Sequence, residues 1–196
     1  MSKIKVIRNE TKLAAIEQQA SILFKQKGYS ATSMKDIAEQ IGIEAPSLYN
    51  HISSKADLLK TICFSVADSF EEEMKRSEQR NATPEIELEQ MLRFHIQMML
   101  NNFTTLWVAN HEWKHLSQIY LKKYIDKRKA YENKMRWLIE QGITKGTFAA
   151  LDAKMATLII LAALRGLEFW QKEKQPANAD VLENNIIQQL FNGLTQ

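Results

Sequence analysis

The amino-acid sequence predicts an all-α protein of about nine helices. Of its 196 residues, 45% are hydrophobic and 25% are charged, with only three prolines and six glycines, which is the composition of a folded globular chain. Good helix formers dominate, and no run rich in valine and threonine alternates with the period of two that a strand requires. We therefore expect helices throughout and no strand.

The helices can be placed in order from their caps and apolar stripes. The first is predicted from about Thr11 to Lys27 and ends at Gly28, and two short helices follow on either side of Gly42. A fourth begins after the cap Ser54 and runs to about Arg80. The remaining five are predicted from residue 84 to about 99, 103–115, 117–141, 153–174 and 179–194, with a break at Gly142 and Gly146 and a stop at Pro176.

The charge and the cysteine content indicate the cellular compartment and the class of binding partner. The net charge is +3, and residues 1–60 contain nine Lys or Arg against six Asp or Glu, which permits binding to nucleic acid. Cys63 is the single cysteine, so no disulfide can form within the chain, and a reducing compartment is indicated. No secretory segment is evident, and no apolar run approaches the ~20 residues that span a bilayer. We expect a cytoplasmic protein with no membrane partner.

The stretch from Ser33 to Lys55 has the pattern of a helix-turn-helix. Ser33 caps the first helix, with Asp36 in its first turn, and Gly42 supplies the left-handed residue of a tight corner. Pro46 suits the first turn of the second helix, whose exposed face carries small, hydroxyl and amide groups. Such a face fits the floor of a DNA major groove.

The same residues carry a family resemblance. The run G-Y-S-A-T-S-M-K-D-I-A-E-Q-I-G-I-E-A-P-S-L-Y-N-H-I-S-S-K-A-D-L-L, from Gly28 to Leu59, resembles the N-terminal domain of the TetR family of bacterial transcriptional regulators. The resemblance implies a helix-turn-helix domain, here 1–54, and a ligand-binding and dimerisation domain, here 55–196. It also implies that Tyr49, His51 and Lys55 contact DNA phosphates. Glu44 departs from the Ser or Thr that many members have as the recognition-helix cap.

Further DNA contacts follow from the residue types. Ser47 and Asn50 are placed to meet base edges, and Thr32 with Ser33 can offer hydroxyl and N–H groups to a phosphate. The full predicted DNA-binding set is Thr32, Ser33, Lys35, Ala45, Pro46, Ser47, Tyr49, Asn50, His51 and Lys55.

A ligand site is predicted from the aromatic and methionine side chains of the later helices. Tyr124, Arg128, Tyr131 and Met135 share one face of the seventh helix, and eight basic residues lie between Lys114 and Arg136 against two acidic ones. An anion-tolerant mouth on an apolar cavity fits an acyl- or aryl-CoA thioester, whereas an ordinary solvated basic surface is the alternative. The predicted ligand-binding residues are Phe70, Met91, Phe94, Met98, Phe103, Trp107, Trp113, Tyr124, Arg128 and Tyr131.

A competing enzyme signal is H-E-x-x-H, formed by His111, Glu112 and His115. On one helix the two histidines would share a face and could bind zinc, with Glu112 as general base. No third ligand stands out, so we expect neither a metal nor another cofactor, and no enzyme. A zinc-dependent hydrolase and a helical adaptor that does not bind DNA remain the alternatives.

The last two predicted helices carry apolar faces suited to pairing with a second copy of the chain. Ala162 and Gly166 are small enough to let another helix approach closely, and the predicted interface consists of Leu158, Ala162, Gly166, Phe169, Ile186 and Leu190. Core packing within one chain is the alternative. The sequence as a whole predicts a homodimeric repressor that binds a palindromic operator and is released by a small, largely apolar effector.

Overall fold

The computed structural model describes the backbone of residues 3–170 and 178–194, and the side chains of residues 12–169 and 178–194. Within these ranges the chain forms nine α-helices and one short 3-10 helix, with no strand, so the predicted all-α class is confirmed. None of the described helices is long and apolar enough to cross a membrane. The α-helices are α1 Lys3–Lys27, α2 Met34–Ile41, α3 Ala45–Tyr49, α4 Lys55–Gln79, α5 Pro84–Asn101, α6 Phe103–His111, α7 Gln118–Lys145, α8 Ala153–Trp170 and α9 Ala179–Asn192.

Three predicted helix ends were wrong. Helix α1 begins at Lys3 rather than at Thr11, and α6 stops at His111 instead of continuing to residue 115. Helix α7 passes through Gly142 and ends before Gly146, whose φ of +75° is the left-handed conformation that closes a helix. Gly142 is instead a packing position, where the ring of Phe148 occupies the space of a missing side chain. The predicted stop at Pro176 lies outside the described residues.

The chain divides into two compact units. The first unit comprises Met1–Ala67 and Thr104–Ile125, and the second comprises Asp68–Phe103 and Asp126–Gln196. The first unit has twelve Lys or Arg against seven Asp or Glu, a net charge of +5, whereas the second has fourteen against sixteen, a net charge of −2. Positive charge is therefore concentrated in the unit that contains the helix-turn-helix. The predicted functional boundary after residue 54 stays a prediction.

The core of the first unit is built on the apolar stripe of α1. Ile16, Ala20 and Phe24 are buried, and α1 packs on α2, which in turn packs on α3. Ile37 of α2 and Leu48 of α3 are completely buried. Burying one side chain of this size contributes about 1.5–3 kcal/mol, so these contacts fix the orientation of two helices too short to be stable alone.

In the second unit, α5 packs against α8 and α9. Arg93 of α5 anchors α9, since its guanidinium donates to Glu183 Oε1 at 2.8 Å and to Asn184 Oδ1 at 2.9 Å. Between α4, α5 and α7 lies a cluster of rings. The ring of Phe70 meets those of Phe94, His95 and Tyr131 edge-on at centroid distances of 5.3, 4.9 and 5.0 Å.

The packing at Gly142 generates a first prediction. A glycine-to-alanine change in a helix interior normally stabilises by about 0.5–1 kcal/mol. At Gly142 the added methyl would collide with the buried ring of Phe148, so G142A should instead destabilise the protein by about 1–3 kcal/mol. Urea unfolding of G142A and of the double variant G142A/F148A measures this, and the second change should relieve the collision.

The ring cluster generates a second prediction. Burial, with the positive charges of Arg165 and Arg128, lowers the pKa of His95 to about 4. The unfolded chain has a histidine pKa near ~6.5, so between these values the unfolded state binds more protons and stability falls as pH falls. The loss at pH 5 relative to pH 7.5 should be at most about 2 kcal/mol.

The variant H95Q isolates this effect because glutamine does not titrate. Urea unfolding at pH 7.5 and pH 5 should show a smaller loss of stability for H95Q than for the wild type. Equal losses in the two proteins would show that the His95 pKa is not lowered by folding.

Candidate functional site

The start of α2 is fixed by a reciprocal capping box. The backbone N–H of Asp36 donates to Ser33 Oγ at 3.1 Å, and the backbone N–H of Ser33 donates to Asp36 Oδ2 at 2.7 Å. The Ser33 hydroxyl also donates to Asp36 Oδ2, and Lys27 Nζ lies 3.2 Å from Oδ1. These donors lower the pKa of Asp36 to about 2, so its carboxylate is charged at ordinary pH.

The corner between α2 and α3 has the geometry that the sequence predicted. Gly42 has φ 76° and ψ 33°, a left-handed conformation that costs a residue with a side chain roughly 1 kcal/mol or more. The N–H of Ile43 donates to Ala38 O at 3.0 Å, which closes the end of α2 in a Schellman-type turn. Ala38 itself is buried at the corner, where a larger side chain would separate the helices.

Helix α3 presents a small group of exposed side chains. Leu48 is its buried anchor, whereas Tyr49 is 53% exposed, and Ser47, Asn50 and Pro46 are also exposed. Ala45 and His51 are half-buried, and Lys35 of α2 is exposed and pairs loosely with Glu39 at 3.7 Å. Glu44 stands at the cap position without a side-chain hydrogen bond to the helix, as its departure from Ser or Thr implied.

Thr32 does not lie at the surface as the sequence predicted. It is buried, and its hydroxyl donates to Gly28 O at 2.9 Å while its N–H points to Tyr29 O at 3.3 Å. Both of its donors serve the loop before α2, and a phosphate contact by Thr32 stays a prediction. Ser33 is exposed, but its hydroxyl is already engaged by Asp36.

Lys55, the first residue of α4, also has an internal role. Its ammonium donates to Tyr29 O at 2.8 Å, Thr32 O at 2.7 Å and Ser30 O at 3.4 Å, and it lies 4.4 Å from the centroid of the Tyr29 ring. An ammonium has three N–H donors, and each has a carbonyl partner here. A phosphate contact by Lys55 stays a prediction.

The predicted ligand-binding residues fall in both units. Phe70, Phe94 and Tyr131 come together in the ring cluster of the second unit, and Met91 joins them because the Tyr131 hydroxyl donates to Met91 O at 3.2 Å. Met98, Phe103 and Arg128 also belong to the second unit. Trp107, Trp113 and Tyr124 belong to the first unit, where the ring centroids of Trp113 and Tyr124 are 6.4 Å apart.

Sequence reasoning missed His95 as a polar member of this cluster. Its Nδ1 lies 3.4 Å from the Tyr131 hydroxyl, and the lowered pKa keeps the ring neutral near pH 7. The sequence shows only that a histidine lies within the apolar stripe of α5, and a histidine at such a position often has no role beyond packing in the core. Only the approach of Tyr131 from α7 identifies it.

The face of α7 that suggested a cavity mouth is largely buried. Tyr124, Tyr131 and Met135 are buried, and the Tyr124 hydroxyl donates to Ala109 O at 2.6 Å. Part of the basic run of α7 is neutralised within the second unit. Lys127 pairs with Asp68 at 2.8 Å and with Glu71, and the ammonium groups of Lys127 and Lys75 together lower the pKa of Glu71 to about 2.

A second lysine of α7 is neutralised in the same way. Lys134 Nζ lies 3.0 Å from Glu87 and 3.4 Å from Glu78. These two lysines are therefore not available as free positive charges for an anionic ligand.

The H-E-x-x-H residues do not share one helix. Helix α6 ends at His111, and Trp113–His115 forms a separate 3-10 turn. His111 stacks on Trp107 at 4.4 Å, whereas His115 Nε2 lies 3.3 Å from Glu112 Oε2. Among the side chains described here, no group of three or more His, Cys, Asp or Glu could hold a metal ion.

An apolar surface covers the outer side of α8 and α9. Phe169 is 72% exposed and Ile159 is 62% exposed, and Leu158 and Ala162 are exposed beside them. Gly166, Ile186 and Leu190 are half-buried, and the last two line an apolar groove between the helices. The predicted interface residues thus lie on an apolar surface of α8 and α9 that the rest of the chain does not fully cover.

Comparison with known proteins relates this architecture to characterised regulators. The chain is 22% identical over 182 residues to the HTH-type transcriptional repressor KstR2 of Mycolicibacterium smegmatis, covering 91% of this chain and 88% of that protein. The structure of the ketosteroid transcriptional regulator KstR2 of Mycobacterium tuberculosis superposes with a TM-score of 0.87 at 21% identity, covering 94% and 95% of the two chains. AibR in complex with isovaleryl coenzyme A and operator DNA gives a TM-score of 0.78 at 24% identity, covering 91% and 97%.

Two family models match, and together they span most of the chain. The model described as "Bacterial regulatory proteins, tetR family" matches residues 16–62, which include α2, α3 and the turn between them. The model described as "Tetracyclin repressor-like, C-terminal domain" matches residues 81–194. The protein therefore belongs to the tetR family of bacterial regulatory proteins, whose members are DNA-binding transcriptional regulators.

Proposed function

We propose that the protein is a homodimeric repressor that binds an operator through α3 and leaves it when a largely apolar CoA thioester binds. The observation that carries this proposal is the helix-turn-helix. Its first helix is capped, its Ile37 and Leu48 side chains are buried, and its exposed residues lie in a unit of net charge +5. The family membership supports it. The exposed apolar surface of α8 and α9 supports the dimer, and the ring cluster of the second unit supports the effector.

Exposed residues of α2, of α3 and of the position after α3 suit two kinds of DNA contact. Ser47 and Asn50 carry the small polar groups that reach base edges in the major groove, whereas the Tyr49 hydroxyl and the Lys35 ammonium suit phosphate oxygens. One five-residue helix reads too few bases to specify a genomic site. Two copies in a dimer would read two half-sites about 34–36 Å apart, so we expect the operator to be palindromic.

The ring cluster of the second unit supports the proposed effector class. Phe70, Phe94 and Met91 offer apolar side chains, and the neutral His95 beside Tyr131 offers a hydrogen-bonding group suited to a carbonyl. AibR, a relative in fold, binds isovaleryl coenzyme A. Arg128 is the basic residue of α7 that we assign to the anionic part of the effector.

Repression would be relieved through a population shift. The effector must bind one conformer of the protein more tightly than the conformer that fits the operator, with a coupling free energy typically of ~1–3 kcal/mol. Helix α4 is the candidate for transmission, since residues 55–67 belong to the first unit and residues 68–79 to the second. By linkage, operator DNA must weaken effector binding to the same degree.

We assign no catalytic role to the chain. The broken H-E-x-x-H segment supports this view, because His111 and His115 lie on different helical elements and Glu112 pairs with His115. A regulator of chromosomal DNA would work in the cytoplasm.

Operator and effector binding can be tested together. Duplexes selected from a random pool should bind the wild type with an affinity that falls by about 5- to 150-fold in saturating acyl- or aryl-CoA. Free fatty acids and coenzyme A alone should have little effect. Fluorescence anisotropy measures the operator affinity, and thermal shift reports effector binding separately.

Matched variants separate the parts of this proposal. N50A should alter the selected base sequence, whereas Y49A should weaken all duplexes alike. R128M should weaken the thioester response, and K129M, at the exposed neighbouring position, should not. A wild type that binds no selected duplex would contradict the proposal as a whole, and a response to no thioester would contradict only the effector class.

The dimer surface generates the next prediction. A glutamate in place of Phe169 or Ile159 would put an unpaired charge into the interface of both protomers, and should raise the dimer dissociation constant by at least about 100-fold. Sedimentation equilibrium measures it, and operator affinity should fall in parallel. The control is I119E, a site 71% exposed in the first unit, which should remain dimeric. Dimers of unchanged stability in both interface variants would show that α8 and α9 form no interface.

A further inference from the structure

The loop between α1 and α2 is organised around the ring of Tyr29. Within the first unit, Phe24 meets this ring edge-on at 5.2 Å, and the Lys55 ammonium lies 4.4 Å from its centroid. The imidazole of His115 stacks on it at 5.0 Å with an interplanar angle of 25°. Residues from α1, α4 and the 3-10 turn after α6 therefore contact one side chain.

The contact with Lys55 ties the ring to the backbone that precedes the helix-turn-helix. The same ammonium binds the carbonyl oxygens of Tyr29, Ser30 and Thr32, and the next residue is Ser33, the cap of α2. A displacement of the Tyr29 ring would therefore change the environment of Lys55. It would also disturb the carbonyls that Lys55 holds and the starting point of α2.

The contact with His115 brings a distant part of the chain to this loop. His115 is oriented by Glu112, whose Oε2 lies 3.3 Å from Nε2, and it follows Trp113, which lies beside Tyr124 of α7. The residues of this segment belong to the same compact unit as the helix-turn-helix, although they follow it by more than fifty positions in the sequence.

We propose that His115 is a positioning residue for operator binding. Its ring holds Tyr29 against Lys55 and thereby fixes the loop from which α2 begins. This inference rests on the proposed function, since it concerns how well the helix-turn-helix meets DNA. His115 itself touches no DNA, and it acts through Tyr29.

The substitution H115A tests the proposal because it removes the stacking ring. Operator affinity should fall by about three- to tenfold, the range expected for one aromatic contact. The slope of affinity against salt should not change, because no phosphate contact is lost. H115F, which keeps a flat ring but no ionisable group, should restore most of the affinity.

Two further variants separate positioning from general destabilisation. H111A removes another histidine of the same segment, one that stacks on Trp107, and should bind the operator as the wild type does. In a double-mutant cycle, H115A should cost little more once Tyr29 is already leucine.

Wild-type affinity in H115A, or failure of H115F to recover what H115A loses, would overturn the proposal. A salt slope that flattens in H115A would also overturn it, because His115 would then be a phosphate contact. If the wild type binds its selected duplex in each of these cases, the proposed function stands. A wild type that binds no duplex would remove both.

Discussion

The hydrogen bonds from the Lys55 ammonium to three backbone carbonyls are the constraint on which the DNA-binding surface depends. A loop of non-helical backbone must satisfy its own polar groups, and here the carbonyls of Tyr29, Ser30 and Thr32 converge on one side chain. Charge-assisted hydrogen bonds are roughly twice as strong as neutral ones. Because Lys55 is the first residue of α4, the same bonds fix where α4 begins and where α2 is capped.

Charged side chains in the second unit form ion pairs between helices. The acidic second half of α4 meets the basic face of α7, with Asp68 and Glu71 on Lys127 and Glu78 on Lys134. The two lysines are partly shielded from solvent, at 29% and 15% exposure, so removing their carboxylate partners would leave poorly hydrated ammonium groups, whereas Asp68 and Glu78 are more than half exposed. They also explain how a helix rich in lysine can lie in a unit whose net charge is −2, while the first unit carries +5.

The local features of the site could be predicted from sequence because each depends on a few adjacent residues. The capping box needs only Ser33 and Asp36, and the corner needs a glycine at position 42 and a small residue at position 38. The roles of Thr32 and Lys55 could not be predicted, since each depends on carbonyls whose direction is set by the folded loop. The basic run of α7 was misleading for a related reason: Lys127 finds Glu71 fifty-six positions away in the sequence.

The uncovered surface of α8 and α9 is the packing feature on which the proposed dimer depends. Large apolar side chains such as Phe169 and Ile159 gain about 25 cal/mol for each Å² that a partner removes from water. In the proposed dimer a second copy of the chain would present the same surface, so the contact would be self-complementary and would close at two subunits. In such a dimer, operator binding would depend on the separation of the two copies of α3 as much as on the base contacts. Any ligand that alters the separation needs no contact with DNA to control it.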